Sequence, residues 1–138
     1  MANNPTPEGR TARAASPQVA EPHPGTWSNC LVTGGIAYVA GMTASGGDLS
    51  DEYTQSKSIF GKIKHLIEAA RGTMTDIVTV TIFVTDIVAY RAARKELGPI
   101  WRARMGVHFP AMALVGTTAL VEPEALIEIQ AVAYLDHA

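Results

Sequence analysis

The segment ALIEIQAVAYL, residues 125–135, constrains the fold of this chain more than any other. With a period of two, Ile127, Ile129, Ala131, Ala133 and Leu135 fall on one face and Leu126, Glu128, Gln130, Val132 and Tyr134 on the other. The first face is core. The second mixes polar and apolar groups, as a subunit contact or a ligand cleft does, and is neither interior nor freely solvated. Glu128 has two readings on such a face. The common one is a solvated strand residue or a structural ion pair, because charged side chains are seldom buried alone. The other is a carboxylate held in a cleft to orient water or accept a proton.

The remaining elements follow from periodicity and turn chemistry. NCLV and IAYVAG flank TGG, the pattern of a β-hairpin. After the loop MTASGGDLS, the residues Ile59, Phe60, Ile63, Leu66, Ile67 and Ala70 form an apolar stripe at helical spacing, with Gly72 expected as the C-terminal cap. DIVTVTIFVTD is a β-branched run suited to a covered sheet. A second helix is expected after Asp86, running through AYRAARKEL to Gly98-Pro99, where proline kinks or restarts it. AMALVG and ALIEIQAVAYL close the chain as strands. The order β-β-α-β-α-β-β predicts an α+β domain with both helices on one face of a mixed sheet. In 138 residues no element is left to cover the other face, so self-association is expected. Residues 1–25, rich in Pro, Ala, Ser, Thr and Asn, read as a flexible tail with room for one edge strand, and 26–138 as one domain.

Composition removes several function classes. Charged residues are 17% of the chain and the formal net charge is -2, which gives no attraction to nucleic acid. No apolar run approaches a membrane span and no signal-type segment opens the sequence, so a soluble, cytoplasmic protein is expected. Cys30 is the only cysteine and reads as a small strand residue rather than a nucleophile. His23, His65, His108 and His137 match no metal-ligand spacing; His65 reads as a helix boundary residue and His137 as tail. No P-loop, dinucleotide fingerprint or nucleophile elbow is present. Arg102 and Arg104 either face an anion or simply favour a helix C-terminus, and His108 in VHFP is open to the same choice between binding and structure.

The segments GGIAYVAGMTA, IEAARGTMTDIVTVTIFVTDI, FPAMALVG and LIEIQAVAYL, in this order, resemble the RidA family of enamine and imine deaminases, formerly labelled L-PSP endoribonucleases. The resemblance runs from about Gly25 to Leu135. It implies a chorismate-mutase-like α+β fold, a homotrimer whose sheets form a central barrel, three ligand clefts between subunits, and hydrolysis without metal or organic cofactor.

Carried over residue by residue, the resemblance makes Glu128 the acid that places the attacking water, and puts Met112 where the family has the arginine that clamps a substrate carboxylate. Met offers neither charge nor hydrogen-bond donors, so 2-aminoacrylate is not the expected substrate. Gln130 replaces a second family acid. Trp27 stands where a cleft-wall tyrosine is common, and Leu114 where some members have cysteine; Ala113 lies between Met112 and Leu114 on the same strand. The implied pocket is less polar and its aromatic wall larger. Three functions stay open: a hydrolase of a differently anchored enamine or imine, a trimeric small-ligand binder without turnover, and, least favoured by the charge balance, a ribonuclease.

Overall fold

The computed structural model describes residues 11–135; the first ten residues of the expected tail, and His137, lie outside them. The elements are β1 (Thr11–Arg13), β2 (Cys30–Thr33), β3 (Ile36–Met42), α1 (Glu52–Ala69), a short 3₁₀ turn (Met74–Asp76), β4 (Ile77–Val84), α2 (Ile87–Met105), β5 (Ala111–Gly116) and β6 (Ile127–Tyr134). They form one six-stranded sheet in the order β1-β2-β3-β6-β4-β5. Only β4 and β5, joined through α2, run parallel; the other neighbours are antiparallel. The expected mixed sheet and α+β class are therefore present, with the last strand inserted between β3 and β4.

The hairpin closes through Gly34 and Gly35, both at positive φ (57° and 77°), as a two-residue primed turn demands. β1 adds to the outer edge of β2, and Ala14 and Val19 beyond it join the core. In α1, Asp51 caps the first turn by accepting from the Thr54 N–H at 2.7 Å. The expected stripe is buried throughout: Ile59, Phe60, Ile63, Leu66, Ile67 and Ala70 all lie in the core.

The end of α1 departs from expectation. The residue that turns left-handed is Arg71 (φ 70°), while the Gly72 N–H bonds to the Ile67 carbonyl and the Arg71 N–H to the Glu68 carbonyl. This is a Schellman closure with arginine at the strained position. Gly72 serves space instead: a Cβ there would stand 2.6 Å from Leu135 Cδ2 and 3.2 Å from Ile67 Cγ2, both buried groups. Gly72→Ala is expected to cost about 1–3 kcal/mol by overpacking, measured as a lower urea midpoint with an unchanged slope.

α2 runs as one helix to the expected end near Arg102 and Arg104, without a restart at proline. Asp86 caps it by accepting from the Ala89 N–H at 3.0 Å, and it passes through Pro99 to Gly106, whose φ of 61° ends it. Proline withdraws the N–H that would bond to the Lys95 carbonyl. Lys95 is exposed, so water can satisfy that carbonyl and the helix continues.

Val80, Ile82, Val84, Ile127, Ile129, Ala131 and Ala133 face the helices and are buried. The opposite face keeps Tyr38, Val115 and Tyr134 exposed, with none of the described elements laid over it. Every residue of β5 is exposed. Among the described residues no helix is long and apolar enough to cross a membrane.

Candidate functional site

Glu128 is the second residue of β6, level with Phe83 of β4, between Ile127 and Ile129, which point to the helices. Its own side chain therefore points to the uncovered face. On its other side β3 is irregular: Val39 pairs with Ala131, but the next pairing is Met42 with Ile129, one residue too many on β3. The extra residue makes a bulge around Ala40 and Gly41, with the Ala40 N–H turned away to the Asn29 carbonyl at 2.8 Å. The Glu128 carboxylate lies against the gap so formed. A Cβ on Gly41 would overlap Oε2 and stand 2.8 Å from Cδ, so only glycine leaves this space open.

The result is an open cleft of about 460 Å³ lined by Trp27, Gly41, Thr43, Ser45, Glu122 and Glu128, among others. Trp27, 58% exposed, forms one wall. The loop after β3 forms another, and Lys62 of α1 pins it by donating to the Thr43 and Ser45 carbonyls at 2.7 and 2.8 Å. Burial lowers the Lys62 pKa, against the opposing pull of Glu122. Burial raises that of Glu128, whose carboxylate has no hydrogen bond or ion pair among the described residues. A half-buried carboxylate with unused lone pairs and increased basicity can accept a proton from a bound water.

Of the residues singled out in the sequence, this cleft unites Glu128 and Trp27. Met112 is level with Val80 and Leu114 with Ile82, so both stand on the helix side of the sheet. Met112 lines a separate cavity beneath α2. Ala113, level with Thr81, shares the face of Glu128, with β4 between their strands. Met112 and Glu128 can thus border a single cleft only when contributed by different copies of the chain. Arg102 folds back along α2 beside Gly98, and Arg104 borders a crevice with Tyr53 and Lys57 in the helical layer. Neither lines the Glu128 cleft or the Met112 cavity. His108 is hydrogen bonded through Nε2 to the Ile77 carbonyl and ties the α2–β5 turn to the start of β4. Its surroundings are structural.

Sequence reasoning missed Gly41, Lys62 and Glu122. The glycine in YVAGM, inside a strand, was the available signal for a bulge or a close approach; nothing local marks the other two. Cys30 is fully buried and its thiol is pushed up to about 11, a state without nucleophilic character. Among the described residues no group of three His, Cys, Asp or Glu side chains is arranged to hold a metal ion.

The sheet order, the two helices on one face and the cleft beside the β3 bulge define a small α+β protein of the RidA type. The sequence profile described as Endoribonuclease L-PSP matches residues 18–135, and the chain belongs to that family, also known as RidA or YjgF. A protein of unknown function from Pseudomonas aeruginosa is similar at 32% identity over 91% of this chain and 93% of that one, with a TM-score of 0.78. A member of the Rid family from Yersinia pestis, also of unknown function, is 27% identical over 90% of this chain and 98% of its own, with a TM-score of 0.76. RidA from an Antarctic Psychrobacter shares the fold at a TM-score of 0.75 and 24% identity, over 88% of this chain and 98% of its own.

Proposed function

We propose that this protein is a RidA-like hydrolase that converts a small enamine, imine or related metabolite to a carbonyl compound and ammonia. It acts in the cytoplasm, as a homotrimer with its clefts between subunits. The observation that carries this reading is the Glu128 carboxylate, half-buried, without a protein partner and laid in the gap opened by Gly41. In the proposed reaction Glu128 takes a proton from a water as the oxygen attacks the C=N carbon. Glu128 passes that proton to the nitrogen, giving the carbinolamine; it then takes the hydroxyl proton and returns it to the nitrogen as the C–N bond breaks, so that the C=O compound and ammonia leave and Glu128 is again ionised. No oxidant, reductant or metal enters this balance.

The trimer reading rests on the bare sheet face with Tyr38 and Tyr134 and on the exposed strand β5. Light scattering should give a mass of three 14.7 kDa chains; a monomeric mass removes the inter-subunit cleft from the proposal. Met112 supplies no carboxylate clamp, so 2-aminoacrylate should be hydrolysed poorly and imines of bulkier, apolar amino compounds faster. Ammonia release over a panel of such imines, generated in situ, is the test. No acceleration with any of them overturns the hydrolase reading and leaves the non-catalytic ligand binder, which Met112 and Leu114 favour. Ribonuclease activity is opposed by the net charge of -2 and by two carboxylates, Glu122 and Glu128, in the cleft.

A further inference from the structure

The cavity beneath α2 is a different kind of site from the Glu128 cleft. It measures about 320 Å³, near the lower end for small-ligand pockets, with room for one ring and a short substituent. Its walls are apolar: Phe60 and Trp101 meet edge to face, with centroids 5.4 Å apart and planes at 79°, and Phe109 and Met112 stand exposed at its border. Two polar side chains of α2 also line it, Tyr90 and Arg94, one helical turn apart and so on one face of the helix. The Arg94 Nε donates to the Arg91 carbonyl at 3.3 Å, which leaves its terminal N–H groups without a hydrogen-bond partner among the described residues. An aromatic cavity bordered by one guanidinium is complementary to a ring carrying one negative charge. A dianion would leave a second charge unpaired against apolar walls.

We propose that this cavity binds a small aromatic monocarboxylate, with the ring among Phe60, Trp101 and Phe109 and the carboxylate on Arg94, assisted by the Tyr90 hydroxyl. The anchor then comes from α2, not from the strand position that Met112 occupies. The site does not depend on the catalytic reading, because it lies on the other face of the sheet from Glu128 and is read by binding rather than turnover.

Calorimetric titration of the full-length protein with phenylacetate, neutral phenylacetamide and ringless acetate tests it. Phenylacetate should bind at least about tenfold tighter than either analogue, and Arg94→Gln should remove about tenfold or more of that affinity, as expected for loss of a charge-assisted contact. Arg91→Gln, which removes an exposed charge one turn away, should leave it unchanged. Glu128→Gln should also leave it unchanged, so failure of this site and failure of the hydrolase reading are told apart. Equal binding of phenylacetate and phenylacetamide, or an Arg94→Gln variant as tight as the parent, overturns the proposal. So does absence of binding by any probe, the result expected if a neighbouring copy's side chain fills the cavity.

Discussion

Glu128→Gln is expected to lower turnover by about 10²- to 10⁴-fold, the usual worth of general acid-base assistance, while the fold persists. Glutamine keeps the shape and one acceptor but cannot take the proton from water. The same substitution carries a second signature, in stability. Burial raises the Glu128 pKa in the folded chain, so folding takes up a proton in the interval between the ordinary carboxylate value and the raised one. Stability is therefore lost as pH rises through that interval, and the ionised carboxylate is a burden above it. Glutamine removes the burden. The variant's thermal midpoint should exceed the parent's at about pH 7.5 and converge with it at about pH 4. A variant that loses turnover without this convergence has been damaged in some other way. One that keeps turnover shows that Glu128 is not the base.

Gly41→Ala is expected to reproduce the catalytic loss without touching an ionisable group. Its methyl would claim the position of Oε2, and the atom that must yield is the free end of a side chain open to a cleft. Yielding is cheap for stability and expensive for geometry, since displacement of a catalytic group by an ångström can cost about 10²-fold in rate. The thermal midpoint should change little. Combining Gly41→Ala with Glu128→Gln should give scarcely more loss than either alone, because both remove one placement of one carboxylate. Additive losses would separate the two residues and undo the account of the bulge.

The parts of this fold that were legible in the sequence are those fixed by near neighbours. The Gly34-Gly35 turn, the α1 stripe and the start of α2 after Asp86 each depend on a few consecutive residues. The assignment of Glu128 to the uncovered face also followed from alternation alone. What alternation cannot give is the partner of a strand. That β6 inserts between β3 and β4 is a long-range pairing, and the bulge that brings Gly41 under Glu128 exists only within it. The side of the sheet on which Met112 stands was hidden for the same reason, since its strand was identified but not the register with β4 that turns it towards the helices. Lys62 escaped notice because its role is played across the fold, on two carbonyls 17 and 19 residues away. Arg71 took the left-handed position expected of Gly72 because the glycine was needed where Leu135 packs.

The strand β5 has a consequence for how this protein comes into being. Its sequence AMALVG carries no charge, and its outer edge offers unpaired N–H and C=O groups to any extended chain. A newly made chain folds at a rate independent of how many copies surround it, whereas covering that edge in the proposed trimer depends on meeting them. Between the two events the edge is open, and the encounter is a race between the right strand and every other. Slower synthesis at lower temperature, which gives each chain time to find its own kind before unrelated strands accumulate, should raise the soluble yield. A single lysine at Ala113 or Val115, placed to blunt the edge, should rescue the solubility of chains that fail to assemble and penalise those that succeed.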